Sequence, residues 1–209
     1  IMLDIIIIVI YFSIVMIAAL TGRSKKKLTV DEYFLSSRSL RWPSIAFSTI
    51  ATNIQGYQFL GMMGSAYLYG IAQASLEINA VQGILLAAFI FVPYYLKAEI
   101  VTITQFIKIK LGKKIALVYS LSNILLFSTI TIGAALFWGA YAADIVFGDL
   151  LSFISKDRFT RITVLIISLG LFSTIYTYLG GLTAVVRTDV IQFVILISGG
   201  IVVMFTAIY

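Results

Sequence analysis

Asn53, Gln55 and Gln58 fall within six residues of one another, around Gly56, in an otherwise apolar stretch at residues 44–65 that reads SIAFSTIATNIQGYQFLGMMGS. Thr49, Thr52 and Tyr57 add further polar groups. Carboxamides inside hydrocarbon are costly unless they find partners or face water. A single one reads as a bond between helices, with Gly61 and Gly64 allowing close approach. Three beside a glycine point instead to a locally unwound helix, whose released carbonyls coordinate a small cation and whose amides hold a polar solute. No proline marks the break.

Acidic residues are the second source of chemistry. Glu77 lies about one turn inside the next apolar stretch, beside Asn79 and Gln82. It reads equally as a buried functional carboxylate that needs a partner, a cation or a proton, or as a helix-start glutamate favoured by the dipole. Asp189, with Gln192 three residues on, fits a helix N-cap. The competing reading makes Asp189 a cation way-station, and local physics prefers the cap. Asp144 reads as an interfacial charge, and Met62 as core. The chain has no cysteine and no histidine, which removes thiol catalysis, disulfides, iron–sulfur clusters, Ser–His–Asp triads and zincins. Helix geometry sets Glu77 and Asp189 about a bilayer leaflet apart, too far for paired acid and base work. The chain is therefore read as no enzyme.

The elements that must position these residues are membrane spans. Of 209 residues, 61% are apolar and 11% charged, against about 25% charged in a soluble domain. Mean hydropathy is +1.06. Apolar stretches long enough to cross a bilayer lie at about 3–20, 44–65, 73–96, 115–147, 161–179 and 184–209. The first lacks a basic segment before it and carries Arg23, Lys25, Lys26 and Lys27 after it, the pattern of an anchoring helix and not of a cleaved leader. With the N-terminus outside, the inner side holds Arg23, Lys25, Lys26, Lys27, Arg38, Arg41, Lys97, Lys108, Lys110, Lys113, Lys114 and Arg187, twelve of the fifteen basic residues. Lys156, Arg158 and Arg161 remain outside. The net charge of +6 thus reports orientation, and no nucleic-acid partner is expected. Trp42, Tyr94, Tyr95, Trp138, Tyr141 and Tyr178 sit near span ends, as interfacial aromatics do. No linker or soluble domain interrupts the chain, which reads as one membrane domain of residues 1–209. Its first residue is Ile1, and its last, Tyr209, closes an apolar run; it reads as a piece of something longer.

Four stretches carry a resemblance: DEYFLSSRSLRWPSIAFSTIATNIQGYQFLGMMGSAY from Asp31, LEINA from Leu76, VPYYLKAEIVTITQFIKIKLG from Val92 and YLGGLTAVVRTDVIQ from Tyr178. Together they closely resemble the sodium:solute symporter family, most nearly its sodium/sugar cotransporters. The resemblance implies an all-α polytopic membrane protein with a LeuT-type inverted-repeat fold. In that fold one extra N-terminal helix precedes two five-helix repeats of opposite orientation. The six spans correspond to the extra helix and the first repeat, and the second repeat is missing.

By the same resemblance, Asn53, Gln58 and Glu77 hydrogen-bond solute hydroxyls, and Met62 belongs to a thin apolar gate. Ala51 and Ile54 offer backbone carbonyls to sodium, and Asp189 serves sodium release or a second sodium site. Tyr57, Leu76 and Ala80 depart from a bacterial member that has an acid, a tyrosine and a serine there. The retained residues therefore argue for a polyhydroxylated solute and not for a particular hexose. The implied activity is sodium-coupled import of a sugar-like solute by alternating access, in a multi-pass protein of the cell (inner) membrane. Sodium is the coupling ion and no organic cofactor is implied; the partners are solute, sodium, the bilayer and the chain's own second repeat. The alternatives are a symporter for proline, sialic acid, a carboxylate or a vitamin, and a transporter-like sensor fused to a histidine kinase.

Overall fold

A computed structural model describes residues 2–21, 29–36 and 39–208. The basic residues Arg23, Lys25, Lys26, Lys27 and Arg38 fall outside the described residues. The chain forms two compact units: one contains residues 1–55 and 143–209, the other residues 56–142.

The first unit is built on α1 (Met2–Leu20), α2 (Val30–Leu35), α3 (Trp42–Asn53) and the far larger α10 (Arg158–Ile208). Short polar signals start α2 and α10. Thr29 and Glu32 form a reciprocal box at α2: the Thr29 amide donates to Glu32 Oε2 at 2.7 Å, and the Glu32 amide to Thr29 Oγ1 at 3.3 Å. The Thr29 amide, with help from its hydroxyl, holds the Glu32 carboxyl below the usual carboxylate range. Asp157 does the same for α10, accepting from the Thr160 amide at 2.8 Å and its hydroxyl at 2.7 Å. These bonds lower its carboxyl likewise.

The two apolar stretches expected at 161–179 and 184–209 form one helical run that breaks at Gly181 (φ 60°, ψ −158°). Only glycine adopts that backbone without large strain. A Cβ on Gly181 would also stand 2.8 Å from the Tyr33 carbonyl oxygen. The break is thus where α2 closes on α10, and Tyr33 Oη donates to the Thr177 carbonyl at 3.2 Å. Around it, α1 and α3 pack on the two halves of α10. Phe12 meets Phe172 edge to face at 4.9 Å, and Phe47 stacks on Phe193 at 4.7 Å. The buried side chains are small, with Val15 and Ala19 from α1 and Ala184 and Val186 from α10. Small residues let helices approach closely where the surrounding solvent is itself apolar.

Asp144, expected as an interfacial charge, is buried (4% exposed). Two arginines make this tolerable. Arg161 Nε donates to Oδ1 at 2.7 Å and Arg158 Nε to Oδ2 at 3.0 Å. Arg161 further donates to the carbonyls of Ser155 and Lys156, tying the turn before α10 to its first residues.

The second unit holds α4 (Met63–Tyr69), α5 (Ala74–Leu86), α6 (Val92–Lys97), α7 (Ile103–Leu111), α8 (Lys113–Leu126) and most of α9 (Ile132–Phe147). Three π-turns, Gln58–Met62, Ala87–Phe91 and Phe127–Thr131, link its helices into longer runs. Gly112 at φ 90° reverses the chain between α7 and α8. Large apolar side chains face outward, among them Phe89 (77% exposed) and Leu125 (65%). A surface of that kind marks contact with a membrane or with further protein.

Among the described residues four helices are long and apolar enough to cross a membrane: Leu3–Leu20, Glu77–Lys97, Lys113–Phe147 and Arg158–Thr206. The stretch at 44–65 is not among them because its helix is interrupted. The protein is all-helical over the described residues and multi-pass by these spans.

Two outcomes follow for the purified protein in thermal unfolding. Gly181→Ala should destabilise it by about 1–3 kcal/mol for the backbone alone, with the Tyr33 contact adding to that. Arg161→Gln should cost about 3–5 kcal/mol by leaving the buried Asp144 short of its main partner. Arg158→Gln, whose side chain is half exposed, should cost about 1 kcal/mol or less; the reverse order would refute this account.

Candidate functional site

The carboxamide stretch is broken at its centre. α3 ends at Asn53, and Ile54 takes an extended conformation (φ −90°, ψ 113°). Helix resumes at Gly56 and passes at once into the π-turn Gln58–Met62. The non-helical step is therefore Ile54–Gln55, without a proline. Ala51 is in the last turn of α3, among the carbonyls that a helix end leaves without an amide four residues on. Hydroxyls dominate the same turns: Thr49 and Thr52 bond back to the carbonyls of Ile45 and Ser48 at 2.8 and 2.9 Å.

Asn53 donates Nδ2 to the Thr49 carbonyl at 2.7 Å and is exposed. The boundary between the units falls between Gln55 and Gly56. Asn53, Ala51 and Ile54 thus belong to the first unit, and Gln58, Met62 and Glu77 to the second. Within the second unit, Gln58 opens the π-turn and Met62 closes it, both half-buried. Glu77 is exposed in the first turn of α5, the helix-start position. Gly56 is required by packing: a Cβ there would stand 2.8 Å from the Trp138 carbonyl oxygen and 3.2 Å from the Gly139 amide of α9. The restart of the helix lies directly on another helix's backbone.

Asp189 is not a helix cap. Its half of α10 starts after Gly181, two turns earlier, so Asp189 is mid-helix and its amide is spoken for. The D-x-x-Q spacing that suggests a cap serves a different purpose. Asp189 is 5% exposed, and Ser48 of α3 donates its hydroxyl to Oδ2 at 2.5 Å. Thr188 beside it is fully buried and donates to the Val185 carbonyl at 2.7 Å. Tyr176 adjoins both Thr188 and Asp189, and Tyr11 of α1 adjoins Tyr176 and Gln192. A carboxylate, two phenols, two hydroxyls and a carboxamide thus gather where α1, α3 and α10 meet.

Sequence reasoning singled out Asp189 and Gln192 but missed Ser48, Tyr11 and Tyr176 as their company. Their signal is faint, one polar group per apolar helix, and it becomes a pattern only once the helices are paired.

The sequence profile of the sodium:solute symporter family matches residues 33–209. A sodium/glucose cotransporter of Vibrio parahaemolyticus is 32% identical over 209 residues, covering 99% of this chain and 36% of that protein. Sodium/glucose cotransporter 1 of Oryctolagus cuniculus is 34% identical over 201 residues, covering 95% of this chain and 29% of that protein. Sodium/glucose cotransporter 4 of Mus musculus is 33% identical over 204 residues, covering 97% and 28%. The chain spans about a third of the length of the curated relatives it matches. No solved structure matches.

Ser48→Ala removes the hydroxyl donor to a buried carboxylate. It should destabilise the protein by about 1–3 kcal/mol in thermal unfolding, whereas Ser48→Thr, which keeps the hydroxyl, should cost less. Equal costs for the two would show that Ser48 contributes shape and not a hydrogen bond.

Proposed function

The chain belongs to the sodium:solute symporter family, and from that premise we propose that it forms the first half of a sodium-coupled importer of a polyhydroxylated, sugar-like solute. It is part of a transporter and not of an enzyme, as its relatives are. The observation that carries the reading is the helix break at Ile54–Gln55, with Asn53 immediately before it and Gln58 opening the turn after it. Backbone broken at membrane depth is stable only where it is buried in protein, lines a cavity or holds a ligand. The printed names of the relatives, sodium/glucose cotransporters, support sodium and sugar as the pair.

In this reading the fold is of the LeuT type. α1 is the extra helix, and the spans from α3 onward form the first inverted repeat. The second repeat supplies the opposite wall. The N-terminus is outside and the protein resides in the cell membrane, because that orientation puts twelve of the fifteen basic residues inside.

Sodium is held by the carbonyls of Ala51 and Ile54 and by ligands from the second repeat. Asn53, Gln58 and Glu77 take the solute's hydroxyls, and Met62 covers it. Asp189, with Ser48 at its carboxylate, receives the ion on its way inward or holds a second one. Sodium at the break stiffens the segment between Asn53 and Gln58 and so prepares the solute site. Coupling of this kind is reciprocal, and solute tightens sodium binding by the same factor. Each sodium entering with the membrane potential contributes about 2.3 kcal/mol per 100 mV, in addition to its concentration gradient.

The test uses the full-length parent protein in proteoliposomes, with a labelled sugar panel and an inward sodium gradient against potassium. Sodium-driven uptake is expected, with Glu77→Ala raising the half-saturating sugar concentration about ten- to a hundredfold or abolishing uptake. No sugar uptake, or uptake indifferent to Glu77, would overturn the sugar assignment and favour a solute such as proline, a carboxylate or a vitamin.

A further inference from the structure

At one end of the first unit, a crevice of about 620 Å³ is lined by the end of α1, the approach to α3 and the stretch of α10 after Gly181. It falls in the size range of small-molecule sites, about 300–1,000 Å³. Five hydroxyl-bearing residues line it, Thr21, Ser36, Ser39, Ser44 and Thr183 among them all, and its charged residues are both arginines, Arg41 and Arg187. Among the described residues neither guanidinium is paired with a carboxylate. Nothing in the proposed transport cycle uses them.

Two exposed cations at one crevice without an anion repel each other, and a phosphate or other oxyanion relieves that cost. Arginine suits that role because its planar array of N–H groups matches phosphate oxygens in pairs. Arg187 is already oriented, since it donates through Nη1 to the Thr21 carbonyl. Its remaining N–H groups are available for an incoming acceptor, as a guanidinium carries five in all. The hydroxyls of Ser36 and Thr183 bond to each other at 2.6 Å, and Ser39 Oγ donates to the Ser36 carbonyl at 2.7 Å, which ties the segment before α3 to the α10 wall. Arg41 is the N-cap residue of α3 and makes no side-chain cap, and Ser44 of the first turn lines the same crevice. Trp42, next in the chain, is 80% exposed, as an indole at the headgroup level of a bilayer is.

We propose that this crevice is a phosphoanion site in which Arg41 and Arg187 hold a phosphate group, from an anionic lipid headgroup or from a soluble phosphate compound. It lies apart from the helix break at Ile54–Gln55 and does not depend on what the protein transports. Occupation ties the end of α1 and the start of α3 to the stretch of α10 after Gly181.

The experiment follows the thermal unfolding of the full-length parent protein in neutral detergent at fixed ionic strength. One titration uses inorganic phosphate, a second dioctanoyl phosphatidylglycerol, and a third dioctanoyl phosphatidylcholine as control. A saturable rise in the unfolding temperature is expected, with Arg41→Gln and Arg187→Gln each weakening the apparent affinity about tenfold or more. A rise with both phosphate and phosphatidylglycerol supports recognition of the phosphate group itself. A rise with phosphatidylglycerol alone supports the proposal with a lipid as its source, and one with phosphate alone supports it with a soluble source. No rise with either, a rise matched by phosphatidylcholine, or an affinity unchanged in both variants overturns it. Where Arg187→Gln fails to fold through loss of its bond to Thr21, Arg41→Gln, at an exposed position without a structural partner in the helix cap, decides the outcome alone.

Discussion

In hydrocarbon every backbone amide and carbonyl needs a partner from the protein itself, because the solvent supplies none. That constraint governs where this chain is helical and makes each departure meaningful. The described residues contain long helical runs, and the interruptions at Ile54–Gln55 and at Gly181 stand out against them. Each is held open by its surroundings. Gly181 takes a backbone conformation closed to other residues, with Tyr33 filling the space a side chain would need. Ile54–Gln55 is followed at once by Gly56, fitted against the backbone of α9. Glycine therefore fixes both departures, at one through its dihedral angles and at the other through the missing Cβ.

The same constraint explains how charge is distributed in the first unit. Carboxylates enter the packed interior only where donors wait for them. Asp144 has two guanidinium groups, and Asp189 has the Ser48 hydroxyl amid phenols and a carboxamide. The difference lies in the partners: the Asp144 carboxylate sits between two guanidinium groups, whereas the Asp189 carboxyl meets only neutral donors.

How far all this was legible in the sequence differs from residue to residue. The break at Ile54–Gln55 could be inferred because three carboxamides beside Gly56 are unreasonable in a continuous lipid-facing helix, and that argument is local. The misreading of Asp189 as a cap was local as well. Spacing to Gln192 suits a cap, but the start of that helix is set by the conformation of Gly181, which composition does not reveal. Asp144 looked interfacial from its position near a span end; its burial depends on Arg161, 17 residues away across a turn, and pairing across turns has no periodic signature. The spans at about 3–20, 73–96 and 115–147 were readable from hydropathy alone, since bilayer thickness acts on every residue of a helix at once. The solute-binding roles proposed for Asn53, Gln58 and Glu77 rest on likeness to a family, and no feature of a single chain assigns them.

The three π-turns of the second unit carry a consequence of their own. Each holds one residue more than an α-helical turn would. Returning such a turn to α geometry would rotate everything beyond it by about 100° and advance it by about 1.5 Å, without breaking the helix. The runs through Gln58–Met62, Ala87–Phe91 and Phe127–Thr131 therefore possess a second register, stored as slack in the winding. These helices thus have, in the winding itself, a means of exchanging the faces they present by twisting.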